Sequence, residues 1–252
     1  MKKLAFSVFA AALTFGANAA DDVAAAAENC CGYDGFYFGL GISAINNGVK
    51  TETTDAYWKG ARQDLDIGVD TNDNDTKFGG SLTLGYGRRV HEKAYLGIEA
   101  GLDIAKNSEF THVGMYSSAR QFEVRSKVNG LTPSVALKLG YVHPGTRGMV
   151  YLKAGAAYSK AKSWYVDQMS DLTLRPYEQK VSKWSPIIAL GGEKLCGKNV
   201  RTRLEVEYKF KTNKKVDFDY TMDTGDRYNG TVKVTNKDSI TLRAMAVYTI
   251  RK

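Results

Sequence analysis

Eight stretches of this chain alternate apolar residues with polar residues or glycine, and aromatic residues stand near the ends of the apolar faces. In the first stretch, 35–45, the apolar face consists of Phe36, Phe38, Leu40, Ile42 and Ala44. A period of two indicates a β-strand, and one continuous apolar face per strand indicates burial on one side only. The pattern predicts strands at 35–45, 77–88, 94–104, 129–142, 149–159, 184–193, 200–210 and 239–250.

The connections between these strands fall into two classes that alternate strictly along the chain. Short turns are predicted at 89–93, 143–148 and 194–199, and long loops at 46–76, 105–128, 160–183 and 211–238. An even strand number with this alternation is typical of an antiparallel up-and-down transmembrane barrel with short periplasmic turns and long extracellular loops. The last loop also alternates, which predicts a hairpin that extends beyond the membrane, and Trp164, Tyr165 and Val166 indicate the same for the third.

The alternative is a soluble eight-stranded barrel of the lipocalin type, whose apolar face points inward. The polar face of this chain is rich in glycine, which suits a crowded interior, and strands of about ten residues suit a tilted bilayer crossing. The aromatic residues of the apolar face also form two bands, as do the girdles at the two membrane interfaces. The two predicted girdles are Phe36, Phe38, Tyr86, Tyr141 and Tyr248 beside the short turns and termini, and Phe78, Tyr158, Trp184 and Phe210 beside the long loops.

The first residues have the features of an export signal. Lys2 and Lys3 precede an apolar run at 4–15, which is too short for a transmembrane helix, and Ala17-Asn18-Ala19 is a cleavage site of the A-x-A type. We therefore predict a signal peptide at 1–19, a periplasmic segment at 20–34 and an outer-membrane barrel at 35–252. Removal of the two lysines lowers the net charge from +8 to +6, and export together with interleaved charges argues against a nucleic-acid partner.

Glycine and aromatic residues recur in short motifs within the predicted strands. The motifs are Gly35-Phe36-Tyr37-Phe38-Gly39-Leu40-Gly41, Leu84-Gly85-Tyr86-Gly87, Leu139-Gly140-Tyr141 and 185–193, SPIIALGGE. In these motifs the chain resembles the small eight-stranded outer-membrane barrels typified by the OmpA barrel, OmpX and the Opa opacity proteins. Two features depart from that pattern. No peptidoglycan-binding domain is expected after the last strand. That strand also ends without the aromatic residue that is usual in the family, and this second difference concerns how the barrel-insertion machinery recognises the protein.

The resemblance implies a protein of the bacterial surface and does not imply an enzymatic activity. We expect a monomer in contact with outer-membrane lipid and lipopolysaccharide, inserted by the barrel-insertion machinery, with function carried by the extracellular loops. The predicted role is structural or interactive, as in envelope integrity, adhesion or surface antigen display, with a host or cell-surface ligand at the loops. The alternative is a small porin-like channel through the charged lumen.

Charged residues occur on the predicted inward face of several strands: Glu99, Lys138, Lys153, Glu193, Arg201, Arg203, Glu205, Glu207, Lys209 and Arg243. Charges packed in so narrow an interior must pair. We expect Glu99 to pair with Lys138, and Arg203 and Arg243 to flank Glu205 and Glu207. The network is either a structural plug of ion pairs or a narrow, gated ion path in which the pairs exchange partners.

No catalytic, cofactor or metal site is predicted. His91, His112 and His143 lie in different connections, so no nucleophile–base arrangement is indicated beyond a weak candidate of His112 with the serines at 117–118. The aspartates at 70–75 lack the glycine and terminal glutamate of an EF-hand. The chain is therefore expected not to be an enzyme.

Three cysteines are present in a chain that is expected to reach an oxidising compartment. Cys30 and Cys31 precede the first strand, and Cys196 lies in the last short turn, on the same side of the membrane. Cys196 is predicted to pair with either Cys30 or Cys31, and three free thiols are the alternative.

Overall fold

The computed structural model describes residues 30–59, 70–117, 120–143, 145–169, 172–173, 177–221 and 227–250. The predicted signal peptide lies outside these residues. Within them the chain forms a 3-10 turn, Cys30–Tyr33, and thirteen strands. The strands are β1 (Gly35–Lys59), β2 (Asp70–Arg89), β3 (Ala94–Ala105), β4 (Ser108–Ser117), β5 (Arg120–Val128), β6 (Leu131–His143), β7 (Gly148–Met169), β8 (Leu172–Thr173), β9 (Tyr177–Leu195), β10 (Val200–Lys209), β11 (Thr212–Thr221), β12 (Arg227–Asn236) and β13 (Ser239–Ile250). The described ranges contain no helix with the length and apolar character that a bilayer crossing needs.

Eight of these strands form a closed antiparallel barrel. The order around the wall is β1, β2, β3, β6, β7, β9, β10 and β13, and β13 pairs back onto β1. The closing register places Phe38 opposite both Tyr248 on β13 and Leu84 on β2. The predicted eight-stranded up-and-down barrel is therefore confirmed. Six of the predicted strands lie within one of the eight, whereas the prediction 129–142 begins two residues before β6 and the prediction 200–210 ends one residue after β10.

The two faces of the wall differ as the alternation predicts. On β1 the Phe36 side chain is 61% exposed, whereas its neighbour Tyr37 is 2% exposed. Large apolar side chains face outward on all eight barrel strands, and the buried positions on the inner face are mostly polar or charged. In water so large an apolar exterior would drive aggregation, whereas in a bilayer it contacts lipid chains. The apolar side is therefore the outside, and the lipocalin alternative does not apply.

The predicted girdle residues meet across neighbouring strands at both ends of this apolar band. Near the short turns, Phe36 and Tyr86 have ring centroids 4.8 Å apart. At the other end, Tyr158 and Trp184 stand directly opposite each other with centroids 5.4 Å apart. These pairs mark the two edges of the band.

Strand pairing continues past the loop-side edge of the band. β1 pairs with β2 as far as Glu52 opposite Asp70, and β7 pairs with β9 as far as Tyr165 opposite Tyr177. The predicted hairpin in the last loop is present as β11–β12, which pairs with the outer part of β1. The connection 105–128, for which the sequence predicts only a loop, forms the hairpin β4–β5 and pairs with the outer part of β7. We call these segments (46–59, 70–78, β4–β5, 160–169, 177–183 and β11–β12) the strand extensions.

Candidate functional site

Among the described residues, eleven charged side chains are buried inside the barrel, and they come from six of its eight strands. Five are acidic and six are basic: Glu99, Asp103, Glu193, Glu205 and Glu207, and Lys138, Lys153, Arg201, Arg203, Lys209 and Arg243. The structure thus brings together all ten charged residues that the sequence predicts on the inward face. It adds Asp103, which lies four residues after Glu99 on the same inward period of β3 and could have been found by that spacing.

The layer nearest the short turns is built around Glu193. Its carboxylate forms a salt bridge with Lys138 and accepts a hydrogen bond from Arg203 Nε at 2.7 Å. The same guanidinium group also binds Glu99, because Arg203 Nη1 donates a hydrogen bond to Glu99 Oε2 at 2.7 Å. Lys138 also lies 3.9 Å from the ring centroid of Tyr151, close enough for a cation–π contact.

The expected salt bridge between Glu99 and Lys138 is not formed. In the register of β3 and β6, Lys138 stands opposite Gly97, and Glu99 stands opposite Ala136. Arg203 and Lys153 therefore reach Glu99 from across the narrow lumen, while Lys138 pairs with Glu193. Residue spacing on one strand does not reveal contacts made across the interior.

Lys153 links the first layer to the next. Its ammonium donates to Glu99 at 2.8 Å and to Glu205 at 2.9 Å. Each of these two carboxylates also accepts a hydrogen bond from a tyrosine hydroxyl. Tyr37 Oη donates to Glu99 at 2.9 Å, and Tyr151 Oη donates to Glu205 at 2.6 Å. Each of these two acids therefore has at least three buried donors or cations around it.

Arg243 closes the network on the loop side. Its guanidinium donates to Asp103 through Nε at 2.9 Å, to Glu205 through Nη1 at 2.7 Å and to Glu207 through Nη2 at 3.0 Å. Arg243 thus flanks Glu205 and Glu207 as expected, whereas Arg203 binds Glu99 and Glu193 instead. Lys209 lies beyond this layer and donates to Ser159 Oγ at 3.3 Å.

Both mouths of the described interior are occupied by side chains. At the turn side, Tyr33 is fully buried, and its hydroxyl donates to the Arg147 carbonyl at 2.9 Å. At the loop side, the apolar side chains of Val49, Phe110, Val128 and Ala161 pack into one buried cluster. A cavity beside Glu99, Asp103 and Arg243 has room for about one water molecule. The interior therefore has the geometry of a plug, and ion passage would require the salt bridges to open.

The side chain of Tyr33, the last residue of the 3-10 turn, packs against the end of β9, which leads into the turn that carries Cys196. Tyr33 Oη lies 3.4 Å from the Glu193 carbonyl and its ring packs in one cluster with Leu195. The Cys196 thiol is exposed, whereas the side chains of Cys30 and Cys31 lie outside the described residues.

The disulfide stays a prediction with a direct measurement. We expect peptide mapping of the exported protein, alkylated without reduction, to find Cys196 linked to Cys30 or Cys31. A reduced and re-alkylated sample supplies the control. Recovery of Cys196 only as the alkylated thiol would contradict the pairing.

The catalytic candidate of His112 with the serines at 117–118 and the aspartates at 70–75 lie partly outside the described residues. The side chain of His112 and residues 118–119 lie outside the described part of the chain, as do the side chains at 70–73. Within that part, no group of three or more histidine, cysteine, aspartate or glutamate residues is arranged to hold a metal ion.

Comparisons with known proteins show the fold. The outer membrane protein OprG from Pseudomonas aeruginosa superposes with a TM-score of 0.52 and 14% identity, over 86% of this chain and 98% of OprG. The outer membrane protease OmpT from Escherichia coli superposes with a TM-score of 0.51 and 11% identity, over 86% of this chain and 97% of OmpT. No protein-family model matches the chain, and no curated protein matches its sequence. The barrel, its apolar exterior and these likenesses define a protein with the fold of the outer-membrane β-barrels.

Proposed function

We propose that this protein is an integral outer-membrane barrel of the bacterial cell, exported by its signal peptide and exposed at the cell surface. It acts as a monomeric structural or interaction protein, in envelope integrity, adhesion or surface antigen display. The observation that carries this proposal is the contrast between the two parts of the molecule. The interior is filled by interlocked salt bridges, whereas the strand extensions form paired sheets beyond the apolar band.

The direction of the extensions supports a surface role. The short turns and the N-terminal segment lie at one end of the barrel, and all strand extensions lie at the other. In outer-membrane barrels the longer connections face the outside of the cell. A rigid platform of this kind suits a host or cell-surface ligand, and its adhesive use is suggested by the resemblance to the Opa proteins.

The porin-like alternative makes a separable prediction. We expect the refolded mature protein to insert into planar bilayers without discrete conductance, because the described lumen is closed at both mouths. A Lys138→Ala variant is compared in the same experiment, since it removes a buried cation from the network. Discrete conductance in the parent protein that changes in the variant would contradict the surface proposal and favour a channel.

A second experiment tests the strand extensions directly. Lys215 and Lys233 stand opposite each other in the β11–β12 register, so an Asn-Gly turn can join them and remove 216–232. Thr111 and Arg125 allow the same shortening of β4–β5. We expect both variants to insert normally, and at least one to lower adhesion of expressing cells to cultured epithelial cells or their resistance to detergent. Unchanged adhesion, detergent resistance and antibody labelling of whole cells would contradict the proposal.

We also propose that the chain is not an enzyme. The proposal depends on the sequence, in which the three histidines fall in different connections. Because OmpT is a protease, cleavage of a quenched fluorescent peptide library is the assay to run beside the conductance measurement.

A further inference from the structure

The segment 32–34 crosses the turn-side mouth of the barrel, and we call it the strap. At one wall Thr249 Oγ1 on β13 donates to the Gly32 carbonyl at 3.1 Å. The Tyr33 hydroxyl donates to the Arg147 carbonyl beside β7, which stands four strands from β1 in either direction around the wall. Tyr33 therefore spans the diameter of the mouth. The strap belongs to no strand, so its movement would leave the pairing of the wall intact.

The guanidinium group of Arg201 lies under Tyr33. Its central carbon is 5.2 Å from the ring centroid of Tyr33 and 5.0 Å from that of Tyr37, so two aromatic rings hold it by cation–π contacts. The Arg201 side chain is fully buried, and its Nη1 lies 3.1 Å from Glu193 Oε2. Tyr33 therefore separates this cation from solvent at the turn-side mouth.

The donors of this layer have more hydrogen-bonding capacity than their neighbours use. Nε, Nη1 and Nη2 of Arg201 and Nη2 of Arg203 are buried, and none of them makes a well-directed hydrogen bond within the described residues. The Tyr95 hydroxyl, which lies close to Arg201, is in the same condition. Among the acceptors of the layer, Glu193 Oε2 is likewise unmatched. Five donor atoms against one acceptor is the pattern expected around a bound anion, because buried donors without acceptors are costly.

The charges of this layer are also unbalanced. Glu193 faces three cations, Lys138, Arg201 and Arg203. Among the described salt bridges, only Arg203 of these three reaches a second carboxylate, that of Glu99. With six bases and five acids, the buried charges of the described interior sum to +1. One bound anion would balance this charge, and it would do so where the unmatched donors lie.

We propose that this layer is a binding site for one small tetrahedral oxyanion, such as phosphate or sulfate, and that the strap is its lid. Arg201 and Arg203 lie two residues apart on the inward face of β10, so both guanidinium groups can donate to one ligand. Guanidinium groups suit such a ligand because their paired N–H groups donate in parallel to two oxygens. The ligand enters when Tyr33 moves away from Arg201, and it takes the place of the ring.

The deeper layers close the site on its inner side. Arg243 with its three carboxylates fills the lumen beyond it, and the apolar cluster that contains Phe110 fills the loop-side mouth. The site is therefore a pocket that opens toward the turns, and an open strap gives no path through the barrel. The inference goes beyond the proposed surface role and does not depend on it.

Two variants and a matched control test the site. Arg201→Met removes the central donors and leaves Glu193 with two other cations, so no acid is orphaned. Tyr33→Ala removes the lid. Lys209→Met is the control, because it also removes one buried positive charge but lies toward the loop side, where Lys209 donates to Ser159. A general effect of net charge would be equal in Arg201→Met and Lys209→Met.

The experiment measures phosphate binding to the full mature barrel. The proteins are refolded in an amine oxide detergent, whose headgroup contains no phosphate, and folding is checked by heat-modifiable mobility in electrophoresis. Inorganic phosphate is then titrated by calorimetry at low chloride concentration. We expect about one phosphate per barrel in the parent protein, binding about tenfold weaker or worse in Arg201→Met, and a change of less than about threefold in Lys209→Met. Tyr33→Ala is expected to bind at least as tightly as the parent protein, because lid opening no longer opposes binding.

Three results would overturn the inference. One is the absence of phosphate binding in both the parent protein and Tyr33→Ala, which would show that the buried donors meet only water. This comparison decides the matter even if Arg201→Met does not fold. Another is an equal loss of affinity in Arg201→Met and Lys209→Met, which would show a general charge effect. The third is displacement of phosphate by an equal concentration of chloride, which would exclude an oxyanion site. Conductance and shortening of the hairpins test the surface role separately.

Discussion

Replacement of Arg243 by alanine is expected to lower the free energy of unfolding of the barrel by about 3–5 kcal/mol. Arg243 contacts three carboxylates, those of Asp103, Glu205 and Glu207, inside the barrel. Removal of the guanidinium leaves this group of acids with Lys153 as the neighbouring cation that pairs with Glu205. An uncompensated buried charge costs far more than the loss of a surface pair, because water cannot replace the missing partner.

The measurement is urea-induced unfolding in phospholipid vesicles, followed by tryptophan fluorescence. Arg125→Ala, which removes an exposed arginine from β5 in the strand extensions, is the matched control and is expected to change the free energy by less than about 1 kcal/mol. Arg243→Ala combined with Asp103→Asn is expected to recover part of the loss, because one of the orphaned charges is removed. A loss below about 1 kcal/mol in Arg243→Ala would show that the network contributes little to stability.

Gly191→Ala is expected to destabilise the barrel by about 1–3 kcal/mol, although it adds a single methyl group. A Cβ atom at this position would lie 2.3 Å from the Tyr151 ring and 2.9 Å from the Leu204 carbonyl. Tyr151 stands directly opposite Gly191 and its hydroxyl donates to Glu205, so movement of the ring would disturb the charge network. Glycine is required here because an aromatic ring covers the backbone.

The adjacent glycine provides the control for that prediction. A Cβ atom at Gly192 would meet nothing closer than the Met149 carbonyl at 3.9 Å, because this residue faces the opposite way. Gly192→Ala is therefore expected to be neutral or slightly stabilising in the same urea titration. If a clash with Tyr151 is the cause, Gly191→Ala should add little to the effect of Tyr151→Ala. Equal effects of alanine at the two glycines would contradict this explanation.

The same arrangement recurs at two other inward glycines and accounts for part of the glycine-rich polar face. The ring of Tyr37 covers Gly85, and the ring of Tyr95 covers Gly87. In each case the added Cβ atom would lie within 2.4 Å of the tyrosine. Glycine therefore makes room inside the narrow barrel for tyrosines, whose hydroxyls can then reach buried acids such as Glu99.

The members of the interior network are predictable from the sequence, whereas most of their partners are not. Membership follows from the period of two, which places Glu99 and Lys138 on inward faces whatever the rest of the fold. Partnership depends on register and on the reach of side chains across the lumen, and both come from barrel closure. For that reason Glu99 pairs with Lys153 and Arg203, which lie far away along the chain.

The same division applies to the ends of the barrel. The segment before the first strand has no periodic pattern, so the burial of Tyr33 in the turn-side mouth has no signal in the sequence. The alignment of Lys127, Lys162 and Lys180 is only partly predictable from sequence. Each lysine occupies an outward position on its own strand, but their alignment requires the register of β5, β7 and β9.

The sequence by itself determined that this chain forms an eight-stranded barrel, which face meets lipid and which charges point inward. These properties follow from local alternation, because side chains of a strand must point to opposite faces. Only the tertiary structure decided which charges pair, how the mouths are filled and which surface lysines stand together. Those contacts join residues from distant parts of the chain, and closure of the barrel sets their positions.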